Sequence, residues 1–151
     1  MGGKAATVHA AAVLAGPRAI LIRGPAGAGK SRLALALIQA AQCRLITFAR
    51  LVGDDRIELA AAHGRLLARA PRALAGLLEV RGLGIRRLDY EPVAVVGLVV
   101  DLATPAAERL PAAAEQQVEV AGIILPRLAI GPGLDPTPAV LARLLTANAE
   151  L

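Results

Sequence analysis

Aromatic side chains are almost missing from this sequence: Phe48 and Tyr90 are its only two, and it has no Trp. Base stacking on aromatic platforms is therefore not available, and no dense run of Lys and Arg supplies the electrostatic alternative. Nucleic acid is excluded as the expected partner, although the formal net charge is +5. That charge comes mostly from arginine and suits a protein that handles nucleotide phosphates and an acidic protein partner. Cysteine is nearly absent too. The single Cys43 excludes an internal disulfide and fits a reducing compartment. No apolar run approaches the roughly 18 residues of a membrane span. Met1 to Ala15 has Lys4 near its start and a small-residue tail, a faint likeness to a signal peptide. Its apolar part is short, rich in alanine and interrupted by His9. The segment is expected to belong to the fold, and the protein to be cytoplasmic, without a membrane partner.

What is abundant is small aliphatic surface. Hydrophobic residues make up 56% of the chain, so Ala, Leu and Val must build the core. At 151 residues a single domain over 1–151 is expected, burying about two-thirds of its unfolded surface. Arg18–Arg23 reads as a short strand and Lys30 to about Gln42 as a helix, apolar nearly all round and expected to be buried. Leu45–Leu51 is a further candidate strand. Arg56–Leu59 and Arg65–Leu67 form a hairpin candidate around Ala-His-Gly. Pro71 suits the first turn of a short helix reaching Leu78, and Glu79–Leu88, punctuated by glycine and rich in arginine, reads as a loop. Val93–Leu102 is a continuous β-branched run and the clearest buried strand. Ile123–Ile130 is another strand candidate, and Thr137 caps a last helix with Pro138 at its first position. Strand–helix and strand–strand neighbours alternate, which predicts an α/β fold with a mixed sheet.

Between the first strand and the first helix stands Gly24-Pro25-Ala26-Gly27-Ala28-Gly29-Lys30-Ser31, a match to G-x-x-x-x-G-K-[ST]. The glycines let backbone N–H groups converge on phosphate oxygens, and the helix N-terminus adds partial positive charge. Lys30 can reach the outer phosphates of a nucleoside triphosphate, and the Ser31 hydroxyl can ligate Mg²⁺. Phosphoryl transfer also needs carboxylates and a base. "LVGDDRIEL" offers Asp54 and Asp55 at a strand exit. Neighbours on an extended chain point oppositely, so one can face the metal while the other faces the acceptor hydroxyl. "LLEVRGLGIRRL" places Glu79, a further candidate Mg²⁺ ligand, at the end of an apolar segment. Each has an ordinary alternative, a surface Asp-Asp turn and a solvated Glu–Arg pair. His9 and Arg109 have no motif of their own.

Together the cradle, "LVGDDRI" and "LLEVRGLGIRRL" resemble the catalytic C-terminal domain of the HPr kinase/phosphorylase family, over about His9 to Arg109. The resemblance implies a P-loop kinase domain on a mixed sheet, related to phosphoenolpyruvate carboxykinases. It implies ATP and Mg²⁺ as cofactors, a serine of the phosphocarrier HPr as acceptor, phosphorolysis as a reverse reaction, and assembly as a homo-oligomer, a hexamer. Carried onto this chain, the family's catalytic histidine falls at His9, its P-loop lysine and serine at Lys30 and Ser31, and its paired acids at Asp54 and Asp55. Asp55 takes the base role, and Asp54 orients the metal or the partner group. The metal-binding glutamate falls at Glu79 and the active-site arginine at Arg109. The short form is similar to those of alphaproteobacteria, which implies the HPr-like carrier of the nitrogen-related phosphotransferase system as acceptor and absence of the family's N-terminal domain. The spacing from Ser31 to Asp54 is longer than in typical members. The stretch after Ile130 departs from the family pattern, which leaves the phosphorolytic direction open. A P-loop kinase of small molecules and a nucleotide-dependent regulatory module without catalysis are the competing readings.

Overall fold

A computed structural model describes residues 6–105, 107 and 111–147. The chain runs β1 (Ala6–Val8), β2 (Ala10–Ala15), β3 (Arg18–Arg23), α1 (Lys30–Gln42), β4 (Ala49–Gly53), β5 (Ile57–Ala62) and β6 (Arg65–Arg69). It continues through β7 (Leu77–Val80), β8 (Gly84–Arg87), β9 (Ala94–Asp101), β10 (Gln117–Val120), β11 (Ile123–Ala129) and α2 (Thr137–Leu145). Nine strands form one mixed sheet in the order β1-β5-β6-β9-β3-β2-β4, with β11 also on β9 and β10 on β11. The α/β architecture with a mixed sheet expected from the sequence is what the chain adopts.

β9 organises this sheet. Its β-branched residues suit a strand covered on both faces. Its start pairs with β6, its end pairs in parallel with β11, and β3 lies parallel along its other edge. Along β9, Val96 faces one core cluster and Leu98 the other, although residues two apart should share a face. The pairing explains this: Ala19 opposes Val96 and Ile20 opposes Leu98, so Gly97 is an extra residue on β9. A Cβ at Gly97 would sit 2.7 Å from Cβ of Arg18, so the bulge requires glycine there.

The two core clusters lie on opposite faces of the sheet. One packs Ile20, Ile22, Leu98 and Val100 against Leu33, Leu37 and Ile38 of α1 and Val140 of α2. The other packs Leu21, Val52 and Val99 against Ile57, Leu59 and Leu66 of the β5–β6 hairpin. That hairpin turns through His63 and Gly64 at φ 52° and 74°, the positive-φ pair of a two-residue type I′ turn.

Several expectations are corrected. α1 is buried on one face only, leaving Arg32, Gln39 and Gln42 exposed. Its mixed Ala/Leu composition hid a one-sided pattern. Glu79–Leu88 is not a loop: it contains most of the β7–β8 hairpin, with Leu78 buried and Gly82 and Gly84 at positive φ around the turn. After Pro71 only Arg72–Leu74 are helical, as one 3₁₀ turn, because the chain then extends into β7. The strand expected at Leu45–Leu51 forms later, at Ala49–Gly53. Thr137 does not cap α2: it is the first helical residue, Pro136 holds the N-cap position, and Oδ1 of Asp135 accepts the Thr137 N–H at 3.0 Å. β1, β2 and β10 had no sequence assignment. Among the described residues no helix is long and apolar enough to cross a membrane.

Candidate active site

β3, β4, β9 and β11 all end at one edge of the sheet, the edge where ligands collect in parallel α/β sheets. β3 delivers the chain into the glycine-rich loop. The loop is anchored by the Leu102 N–H, which donates to the Arg23 carbonyl at 2.8 Å, and by a turn from Ala28 N–H to the Pro25 carbonyl at 3.1 Å. A Cβ on Gly24 would lie 3.1 Å from Cβ of Leu102 and 3.2 Å from Cβ of Ala28, so the loop closes this tightly only around a hydrogen. Gly29 at φ 98° turns the chain into α1, whose first bond runs from Leu33 N–H to the Gly29 carbonyl. The Lys30 ammonium folds back and donates to the carbonyls of Gly24 at 2.8 Å and Pro25 at 3.1 Å.

One helical residue on, the Ser31 hydroxyl donates to the Asp54 carboxylate, with Oδ1 at 2.8 Å and Oδ2 at 2.9 Å. The same carboxylate accepts the backbone N–H of Glu79 at 3.2 Å. Asp54 is 5% exposed, the one charged residue so deeply buried among those described. It therefore ties together the start of α1, the exit of β4 and the β7–β8 hairpin. Asp55 follows at φ 69° and is exposed, because the turn from Arg56 N–H to the Asp54 carbonyl reverses the chain there. The two adjacent acids thus diverge, one into the cradle and one into solvent. The Glu79 side chain is exposed. His9 is exposed just ahead of Ala10, which pairs with Arg23, so it lies at the same sheet edge as the loop. Arg109 lies outside the described residues.

A second cluster escaped the sequence reading. Asp101 ends β9 and is gripped by Arg23 (Nε–Oδ1 2.7 Å, Nη2–Oδ2 2.9 Å) and by Arg127 of β11 (Nε–Oδ2 2.6 Å). Burial alone would raise its pKa, but hydrogen bonds and positive charge from both arginines hold the carboxyl below the usual range. The cluster abuts the cradle because Arg23 directly precedes Gly24. Only strand pairing reveals it: the register puts Arg23 opposite Asp101, and Asp101 opposite Ala129 two residues beyond Arg127.

These residues fit a nucleotide with Mg²⁺. The loop leaves no room for a Cβ at Gly24 and holds Gly27 and Gly29 at positive φ, and a hydroxyl and a carboxylate meet at the helix start, hard oxygen donors of the kind Mg²⁺ takes. Fold and site together define a P-loop-type α/β domain. More narrowly, the chain belongs to the family described as HPr Serine kinase C-terminal domain, whose model matches residues 3–91. It is 46% identical over 66 residues to the HPr kinase/phosphorylase of Clostridium beijerinckii, covering 44% of this chain and 20% of that protein. It is 39% identical over 85 residues to the HPr kinase/phosphorylase of Clostridium tetani, covering 56% and 25%. The match thus spans a quarter or less of either relative's length. The structure of the Hpr(Ser) kinase/phosphatase from Coxiella burnetii superposes with a TM-score of 0.73 at 25% identity, covering 93% of both chains.

Proposed function

We propose that this chain is an ATP-dependent protein kinase that phosphorylates a serine of an HPr-like phosphocarrier. The observation that carries the reading is the Ser31–Asp54–Glu79 connection directly behind the phosphate cradle. A loop that only bound nucleotide would not need a buried carboxylate wired to its helix and to a neighbouring hairpin. The relatives' names supply the acceptor.

The backbone N–H groups of Gly24 to Ser31 hold the triphosphate. Lys30, free to leave its two carbonyl partners, turns to the outer phosphates. Ser31, Asp54 and Glu79 are the residues that would hold Mg²⁺, which when bound offsets phosphate charge. Asp54 keeps the Ser31 hydroxyl oriented. Asp55 projects from the cradle toward the acceptor and takes the proton from the carrier serine hydroxyl. As that oxygen bonds to the γ-phosphorus, the bond to the bridging oxygen breaks and ADP leaves. His9 borders this site, and Arg109 is assigned by resemblance as a cation that faces the transferred group. A cytoplasmic setting and a hexameric assembly complete the reading.

The decisive experiment is the intact mass of HPr and of its nitrogen-system counterpart after incubation with this protein, ATP and Mg²⁺, followed by inorganic phosphate. Gain of one phosphoryl group on serine is expected, and the preferred carrier names the acceptor. Loss of that group with release of pyrophosphate after phosphate addition would add the phosphorolytic direction. No gain despite measured ATP binding would refute the kinase and leave a nucleotide-dependent regulatory module.

A further inference from the structure

We infer that Arg32 is an additional phosphate-binding cation of the cradle, one that the P-loop motif does not include. The inference rests on reading the cradle as an ATP site. α1 begins Lys30-Ser31-Arg32, with no acidic residue in its first turn. The partial positive charge of a helix N-terminus disfavours cations there. Lys30 relieves this by donating to the carbonyls of Gly24 and Pro25. Arg32 has no such outlet: among the described residues it enters none of the ion pairs.

Its side chain does not extend away from the loop either. It lies back over the last glycine of the cradle, where a Cβ on Gly29 would come 3.3 Å from Nη2, 3.7 Å from Nε and 3.9 Å from Cζ of Arg32. Positive φ is what requires glycine at position 29, and the space above it is occupied by the guanidinium at the far end of the Arg32 side chain. An exposed planar cation with several N–H donors is held against the backbone whose amides face the phosphates, at a helix end that repels it. No acidic side chain among the described residues pairs with it, and the counter-charge assigned to it is that of the ligand. The geometry fits the phosphate chain of a nucleoside di- or triphosphate passing Gly29, with the guanidinium donating to its non-bridging oxygens.

The same electrostatics give a test in which stability and binding move in opposite directions. Arg32→Glu replaces a disfavoured cation with a favoured anion, so Tm of the free protein should hold or rise. ATP affinity should fall by more than about tenfold, and Arg32→Gln should lose about tenfold, on the order of one charge-assisted contact. The salt dependence of ATP binding should flatten in Arg32→Gln relative to wild type. ATP dissociation constants within twofold of wild type in both variants would overturn the role of Arg32 while leaving the ATP site intact. Failure of the wild-type protein to bind ATP would overturn the ATP site itself and this inference with it.

Discussion

Asp101→Asn is the substitution that tests most directly whether the strand ends under the cradle are held by charge. The carboxylate accepts three charge-assisted bonds, two from Arg23 at 2.7 and 2.9 Å and one from Arg127 at 2.6 Å. The Asp101 side chain is 13% exposed, against 32% for Arg23 and 22% for Arg127. Leaving one partner of a fully buried pair uncompensated costs about 3–5 kcal/mol. The two arginines keep part of their hydration, and asparagine retains one acceptor, so the expected loss is roughly 2–3 kcal/mol. In a chain of this size that corresponds to a Tm lower by about 5–10 °C. Urea unfolding of both proteins at fixed concentration measures the difference.

Its pH dependence has a definite sign. The folded-state pKa of Asp101 lies below its ordinary 3.8. The ionised carboxylate therefore favours the folded state at pH values above 3.8, and the contribution is lost as pH falls through the lower, folded-state value. The advantage of wild type over Asp101→Asn should be full at pH 7 and pH 5, and should shrink only once the pH drops below about 4. A difference under about 0.5 kcal/mol at pH 7, the range of an ordinary surface substitution, would refute the reasoning. So would a difference that grows on acidification.

Three further outcomes follow from the site and its frame. Asp55→Asn preserves the positive φ that Asn tolerates, so folding and ATP affinity should stay near wild type while carrier phosphorylation falls by about 10²–10⁴-fold, read by mass spectrometry of the carrier; wild-type turnover would remove Asp55 from the base role. Ser31→Ala leaves the buried Asp54 carboxylate with one donor fewer and should cost about 1–2 kcal/mol in urea, together with Mg²⁺-dependent ATP binding, whereas Ser31→Thr should retain both. Ala121 stands at φ 51° beside Gly122 at φ 80° in the β10–β11 turn, so Ala121→Asn should stabilise the fold by about 0.5–1 kcal/mol; no gain in Tm would mean that the left-handed backbone carries no strain there.

The local signals in the sequence were the ones that need no partner. The Arg18–Arg23 strand, the Lys30–Gln42 helix and the glycine cradle between them form where the sequence places them. Hydrophobic run, helix propensity and glycine spacing are properties of consecutive residues. The β5–β6 hairpin was legible for the same reason, since His63-Gly64 carries its own turn. Elements whose identity depends on what covers them were not. β2, Ala10–Ala15, is too small and uniform in its side chains to announce a strand, yet it is buried between β3 and β4. Glycines and arginines made the β7–β8 hairpin look like loop, and only Leu78 in the core shows why it is ordered.

The site divides in the same way. By itself the sequence placed the glycine-rich loop between strand and helix and nominated Lys30, Ser31, Asp54, Asp55 and Glu79, because residue type and motif spacing are written along the chain. Tertiary structure alone decided that Asp54 turns inward to Ser31 and the Glu79 N–H while Asp55 turns outward, since this depends on where β4 ends against α1 and β7. It alone brought Arg23, Asp101 and Arg127 together from three strands, 78 and 26 residues apart in sequence. It alone laid Arg32 over Gly29. A hydrogen bond or an ion pair forms between neighbours in space, and strand register, which sets those neighbours, is fixed by burial across the whole sheet.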